Sequence, residues 1–248
     1  VSTNGTDIGP FTTTVAGQWS LEVKPPFEGY AGNYNFELID VASAAQPVAI
    51  GDQVIVQFDD GRRAKAVSFD VIAGQQLYYD AINPSPQPNV RSILIAPSGL
   101  TRNLNLTGDD SSVQNQFGSF LFRETGTYYL LLEGNQAAAF EFGFRLVDLT
   151  TLPKIDFGTL YSPSFARRGQ AALYQFDGLV GQQIYFDSQN ANNAVTMRIY
   201  GNGGELILST QTSADATFRL PQTGRYYVFL DSNSVFDAAA DFRFVDLG

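Results

Sequence analysis

Apolar and polar residues alternate in short runs along this chain, and turn-forming residues separate the runs. In residues 140–147 aromatic and aliphatic side chains take nearly every second position, and Pro97-Ser98-Gly99 closes an earlier apolar run. Alternation over about four to eight residues predicts a half-buried β-strand, and proline, serine and glycine favour the turns between strands. The sequence sustains no helical period, so we expect an all-β fold.

A long strand-and-turn sequence occurs twice in the chain. The run FDVIAGQQLYYD at residues 69–80 returns as FDGLVGQQIYFD at residues 176–187. The run FRLVD at residues 144–148 likewise returns as FRFVD at residues 242–246. Repetition of both runs in the same order indicates two copies of one structural unit.

Two shorter elements lie between these runs, again in both copies. An apolar run that ends in a turn occupies residues 93–99, and we align it with residues 197–203. The pattern Thr-Gly-x-Tyr-Tyr follows at residues 125–129 and again at 223–227. Four elements therefore recur in one order, which makes a chance match improbable.

The repeats divide the chain into three modules. Residues 42–149 and 150–248 each hold the full set of elements. About 100 residues of short antiparallel strands predict a two-sheet sandwich, so we expect tandem antiparallel β-sandwich modules. Residues 1–41 match only the last two elements, and we expect them to form a partial module of C-terminal strands. Its core-facing residues are expected to be Trp19, Leu21 and Val23.

The composition excludes several classes of function. The chain contains no cysteine and no histidine, which removes disulfides, the usual zinc sites and every Ser-His or Cys-His catalytic pair. Its formal net charge of −10 opposes binding to nucleic acid or an anionic membrane. No apolar run approaches the ~18 residues of a membrane span. Two carboxylates alone could hydrolyse a glycoside, but the acids shared by the modules lie at strand ends, so we expect no enzyme.

The four elements, in this order and spacing, resemble the bacterial pre-peptidase C-terminal (PPC) domain family. The motif runs as Phe-x-x-x-x-Gly-Gln at residues 69–75, Pro-x-Gly at 97–99, Thr-Gly-x-Tyr at 125–128, and a closing aromatic strand. The family often has Asp-Leu before the Pro-x-Gly strand, where this chain has Asn89-Val90 and, in the second copy, Ala194-Val195. The resemblance implies a jelly-roll-like sandwich outside the cell, without catalysis of its own. It also implies calcium, collagen or polysaccharide as ligands of some members.

Aspartates that close the three copies are candidate calcium ligands at the module junctions. Carboxylate oxygens are hard ligands that suit calcium. An aspartate that follows a strand can also cap a turn through its own backbone, and no Asp-x-Asp-x-Asp run accompanies these residues, so the turn is the favoured interpretation. No cofactor is expected, and calcium is the one metal left open as a candidate. The candidates are Asp40, Asp148 and Asp246.

Tyrosines on the strand faces opposite the core are candidate ligand-binding residues. An exposed tyrosine offers a flat apolar surface with a polar tip, which suits a polysaccharide or a surface protein. Loops or the next module could instead cover these faces, and we favour that interpretation. The candidates are Tyr78, Tyr129, Tyr185 and Tyr227.

Together these features indicate non-catalytic modules of a bacterial secreted or cell-surface protein. Val1 begins in the middle of the repeat pattern, so we expect the sequence to be a piece of a longer polypeptide whose neighbouring modules are partners. The expected role is adhesion or structural spacing. The alternative is a set of polysaccharide- or protein-binding accessory domains of a secreted hydrolase.

Overall fold

A computed structural model describes residues 9–23, 29, 33, 35–82, 90–104, 119–134, 136–189, 194–234 and 237–248. Strands dominate it, and each sheet in the described residues draws its strands from one complete module. In the described ranges the helices are one short α-helix, α1 (Val41–Ala44), and one 3-10 turn (Leu149–Thr151). Neither helix of this part of the chain has the length and apolar character needed to cross a bilayer.

Two sheets form the second module. The first has the order β1-β3-β8-β5-β6 and the second the order β2-β9-β4-β7. Apart from the parallel pair β1–β3, the pairings are antiparallel. The strands are β1 (Gln46–Pro47), β2 (Gln53–Phe58), β3 (Ala64–Val71), β4 (Gln76–Ala81), β5 (Val90–Ile95), β6 (Thr101–Leu104), β7 (Ser119–Leu121), β8 (Gly126–Gly134) and β9 (Phe140–Asp148).

The third module repeats this arrangement. Its sheets have the orders β11-β16-β13-β14 and β15-β12-β18, and a small pair β10–β17 lies beside them. All named strand pairs in this module are antiparallel. The strands are β10 (Ser164–Phe165), β11 (Ala171–Gly178), β12 (Gln183–Ser188), β13 (Val195–Gly201), β14 (Leu206–Gln211), β15 (Ala216–Arg219), β16 (Gly224–Ser232), β17 (Ala238–Ala239) and β18 (Phe242–Asp246).

Each complete module encloses one core of alternating inward side chains. In the third module Phe176 stacks on Tyr226 with a ring-centroid distance of 5.3 Å and meets the edge of Phe244 at 5.8 Å. Tyr128, Leu130 and Leu132 face the equivalent core of the second module, as alternation predicts. Burying such a side chain fully contributes about 1.5–3 kcal/mol. The prediction of tandem antiparallel β-sandwich modules is confirmed.

The recurring Gly-Gln motif holds a turn against the closing strand. In the second module, the side chain of Gln75 accepts a 3.1 Å hydrogen bond from the Ile72 amide and donates one of 2.7 Å to Asp148. In the third module, Gln182 bonds to Leu179 at 3.0 Å and to Asp246 at 2.8 Å. The same bonds form twice, which gives the motif a structural reason to recur.

The Thr-Gly motif holds the other side of the same turn. The hydroxyl of Thr125 accepts a 2.9 Å hydrogen bond from the Ala73 amide, and Thr223 accepts one of 3.0 Å from Val180. These hydroxyls satisfy backbone groups that the strand ladder leaves free. The motifs that carry the family resemblance are thus accounted for by the sandwich itself.

One alignment between the modules is displaced by a single residue. Ile95 pairs with Tyr129 on β8, whereas the residue that pairs with Tyr227 on β16 is Tyr200. The turn glycines agree, since Gly99 and Gly204 have positive φ values of 83° and 87°. Residues 93–99 therefore correspond to residues 198–204. The sequence Asn-Gly-Gly allowed either glycine to be the turn residue, which caused the error.

The described residues of the first 41 form no strand. Trp19 is 66% exposed, and Leu21, Val23, Phe36 and Leu38 are also exposed. The expectation that Trp19, Leu21 and Val23 face a core is wrong. In the complete modules, β8 lies between β3 and β5, and β9 lies between β2 and β4. A segment that carries only the two closing elements lacks the strands that would flank them.

Candidate functional site

A buried ion pair of the second module meets the backbone of the third module. Asp80 on β4 lies opposite Arg145 on β9, and its side chain is 0% exposed. The Arg145 guanidinium donates a 2.8 Å hydrogen bond from Nε to Asp80 Oδ2 and a second bond from Nη2 to the same oxygen. At the first residue of β11, the Ala171 amide donates a 2.9 Å bond to Asp80 Oδ1, and the Ala171 carbonyl accepts a 2.8 Å bond from Arg145.

Burial dominates the electrostatics of this pair. It raises the pKa of Asp80 to about 7, although the Arg145 guanidinium and the Ala171 amide act in the opposite direction. The carboxylate of Asp231 in the third module raises the pKa of Asp80 further, because a like charge disfavours ionisation. Asp231 is itself buried and lies 3.6 Å from Arg198. Asp231, with Arg198 beside it, therefore acts electrostatically on Asp80 across the junction.

An apolar cluster surrounds the polar contacts. The rings of Tyr78 and Phe229, one from each module, lie 4.7 Å apart between centroids. Leu149 and Leu152, from the connection between the modules, pack into the same cluster beside Leu173. We call the polar contacts and this cluster together the module junction. Both modules and their connection contribute to it, so the junction forms only when they are docked.

The structure separates the four candidate tyrosines. Tyr78 is only 3% exposed and Tyr227 only 4%, because both lie in the module junction. The expectation that these two tyrosines are exposed and available to a ligand is wrong. Each is covered by the neighbouring module, which is the interpretation favoured from the sequence. Tyr129 is half-buried and packs against the same apolar cluster as Val41 and Ala45 of the N-terminal connection. Tyr185 is half-buried, and its hydroxyl donates a 2.7 Å bond to Asp215. Ligand binding by Tyr129 or Tyr185 stays a prediction.

Each of the three closing aspartates accepts a hydrogen bond from a residue that follows it closely in the chain. Asp40 accepts a 2.8 Å bond from the Ser43 hydroxyl, and Asp148 accepts a 2.8 Å bond from the Thr150 amide. Asp246 accepts a 3.0 Å bond from the Gly248 amide. Within the described ranges no three acidic side chains gather where they could hold a metal ion. The structure does not bring these residues together, and calcium binding by any of them stays a prediction.

A groove in the third module holds a single acid, Asp177. Lys154 lies 2.9 Å and Arg225 3.8 Å from its carboxylate, and the Lys154 hydrogen bond holds the pKa of Asp177 below its usual value. Acid–base chemistry on a glycoside needs two carboxylates with different pKa values. One carboxylate neutralised by two cations does not supply that pair. The residues lining the groove are Asp177, Gly178, Leu179, Asn202, Thr223, Gly224 and Arg225.

Sequence reasoning missed the residues that build the junction. Asp80 and Arg145 were visible as members of repeated runs, but nothing in the sequence paired them across two strands. Leu149 looked like an ordinary linker residue. Residues that face away from the core and still recur in both copies could have indicated them, because packing of the core does not require such residues to recur.

The chain matches no protein-family model and no curated protein. Among solved structures, it is similar to the CUB1-EGF-CUB2 domain of human MASP-1/3, with 7% identity, a TM-score of 0.26 and coverage of 78% of this chain and 99% of that chain. It is also similar to the CBM22-1-CBM22-2 tandem domain of Paenibacillus barcinonensis Xyn10C, with 11% identity, a TM-score of 0.22 and coverage of 79% and 92%. Similarities at this level say nothing about what this chain binds.

Proposed function

We propose that this chain is a non-catalytic, semi-rigid spacer of tandem β-sandwich modules in a bacterial secreted or cell-surface protein. The observation that carries the proposal is the buried contact of Asp80 and Arg145 with Ala171. Modules joined by a flexible linker move relative to one another unless their interface is substantial and apolar. Here Tyr78 and Tyr227, two of the four candidate tyrosines, are buried in the junction, which favours spacing over ligand capture.

The junction resists bending because its polar groups are matched to fixed positions. Rotating one module would separate Asp80 Oδ1 from the Ala171 amide, while Arg145, which belongs to the same module as Asp80, would stay in place. Leaving a buried acceptor without its hydrogen-bond donor costs about 1–3 kcal/mol. The apolar cluster around Tyr78 and Phe229 adds a cost for exposure to water.

The compartment and the absence of catalysis rest on the sequence. The four repeated elements resemble an extracellular bacterial family, and the lack of cysteine and histidine removes the common nucleophile–base pairs. The polysaccharide- or protein-binding alternative would have to use Tyr129, Tyr185 or another surface, since Tyr78 and Tyr227 are covered.

A distance measurement between the modules tests the spacer. Because the chain has no cysteine, spin labels can be attached at Asp59→Cys and Ser209→Cys, two exposed positions in different modules. We expect one narrow distance distribution by pulsed electron paramagnetic resonance. Val147→Glu places a charge against the apolar cluster and should broaden it.

The matched control is Val245→Glu, the same change on the corresponding strand of the third module, away from the junction. It should leave the distribution narrow. A broad distribution in the parent chain, or equal effects of the two variants, would mean that the modules are not held rigidly.

A further inference from the structure

The third module carries a copy of the face with which the second module docks, and in the described residues this copy is partly exposed. In the second module, Tyr78 lies opposite Val147 and Asp80 opposite Arg145. In the third module, the same residue types pair in the same register, Tyr185 with Val245 and Asp187 with Arg243. Arg243 Nε lies 2.5 Å from Asp187 Oδ2, so the ion pair is also reproduced.

The connecting segment is reproduced as well. Asp148 is followed by Leu149, which is 0% exposed in the module junction. Asp246 is followed by Leu247, which is 53% exposed. Both aspartates accept a hydrogen bond from the glutamine of the Gly-Gln motif. The third module thus presents a leucine to water where its counterpart is buried.

The residues that form this face are more similar between the two modules than several of the core-facing residues beside them. Between the two modules, Leu77 is replaced by Ile184, Tyr79 by Phe186 and Leu146 by Phe244. All four outward residues and the leucine of the connection are identical. A sandwich core accepts such apolar exchanges, whereas a buried ion pair that must meet backbone groups does not. Identity at these outward positions is what a shared docking role requires.

We propose that the face formed by Tyr185, Asp187, Arg243 and Val245 is a docking surface for a further β-sandwich module of this repeat type. That module would be joined through Asp246 and Leu247 as the third is joined through Asp148 and Leu149. It would present the amide and carbonyl of the first residue of its β11-equivalent strand to Asp187 and Arg243. The amide would take the place of Gln189 Nε2, which donates a 2.7 Å hydrogen bond to Asp187 Oδ1. This inference extends the proposed spacer role and rests on the same junction geometry.

A second copy of this chain is a poorer fit to the face. The strand edge at Ala171 is already bonded to Asp80 and Arg145. The corresponding face of the second module, around Ala66 and Leu131, is covered by Val41 and Ala45 of the N-terminal connection. Both surfaces of a second copy that could bind this face are therefore already in contact with residues of their own chain. This favours a further module as the partner.

The test lengthens the complete chain, so that residues 150–248 follow Leu247 a second time. Spin labels at Ser209→Cys in the third and the added module should give one narrow distance distribution. Val245→Glu should broaden that distribution and speed exchange of the added module's Ala171 amide by at least about tenfold. Val147→Glu should leave both unchanged. A broad distribution in the lengthened parent chain, or no effect of Val245→Glu, would overturn the proposal.

Two further measurements distinguish a failure of the proposed docking surface from a failure of the proposed spacer role. In the same lengthened chain, the Asp59–Ser209 distance reports the first junction, so a broad distribution there counts against the spacer role rather than against the new face. Sedimentation of the 248-residue chain supplies a test that does not depend on folding of the added module. We expect a monomer; a dimer that Val245→Glu dissociates would show that a second copy is the occupant and would overturn the proposal.

Discussion

The carboxylate of Asp80 accepts a 2.9 Å hydrogen bond from the backbone amide of Ala171, a residue of the following module. Arg145, which holds Asp80 in place, bonds to the carbonyl of the same alanine. One ion pair thereby recognises both backbone groups of a single residue. Such recognition depends little on the side chain of that residue and strongly on the position of its backbone. A contact that recurs between repeated modules requires this kind of recognition.

The two leucines that follow the closing aspartates should differ sharply in their effect on stability. Leu149→Ala removes a fully buried side chain and should lower the free energy of unfolding by about 2–5 kcal/mol. Leu247→Ala, at the exposed equivalent position, should change it by less than about 0.5 kcal/mol. Urea titrations of both variants check this. Equal losses would show that Leu149 gains nothing from the junction.

Asp80 should give the chain a characteristic pH dependence. Its raised pKa of about 7 means that between about pH 4 and 7 the folded chain keeps a proton that the unfolded chain has lost. The stability from this group is fully present below pH 4 and is lost as the pH rises through 7, at up to about 1.4 kcal/mol per pH unit. Asp80→Asn lacks this titration.

Comparison with Asp80→Asn therefore isolates the effect. The free energy of unfolding of the parent chain minus that of the variant should fall between pH 4 and pH 7. Urea titrations at pH 4, 5, 6 and 7 supply the four points. A difference that stays constant or rises with pH would contradict the assigned direction.

Two tyrosines at equivalent positions of the modules should also differ in their contribution to the free energy of unfolding. Tyr227→Ala removes a ring from the module junction, and by analogy with other large aromatic residues it should cost about 3–5 kcal/mol. Tyr129→Ala, at the corresponding position of the second module, removes a half-buried ring and should cost less. Thermal unfolding followed by circular dichroism compares the two. A smaller loss of stability for Tyr227→Ala than for Tyr129→Ala would show that the ring of Tyr227 does not stabilise the junction as assigned.

The polysaccharide alternative has its own test at the two half-buried tyrosines. If Tyr129 and Tyr185 stack on sugar rings, replacing both by alanine should reduce retention on a glycan affinity column by at least about tenfold, since stacking contributes on the order of 1 kcal/mol per ring. Under the spacer role, we expect the parent chain to show no retention across a glycan panel. Specific retention that the double variant abolishes would support the alternative.

Strands and their faces could be predicted from the sequence because alternation is a local property. Alternation along residues 128–132 puts Leu130 and Leu132 on one face, and both lie in the core. The pairing of Asp80 with Arg145 depends on strand register, and their contact with Ala171 depends on how two modules dock; neither is local. The strand expected around Trp19, Leu21 and Val23 does not form in the described residues. A closing strand is stable only between the neighbours that the complete modules supply.

Hydrogen exchange at the Ala171 amide tests the central claim most directly, because this amide donates to Asp80 across the junction. We predict that in the parent chain it exchanges far more slowly than an exposed amide. Val147→Glu should speed the exchange by at least about tenfold, and Val245→Glu should not change it. An Ala171 amide that exchanges in the parent chain as fast as an unprotected one would contradict a docked, rigid junction.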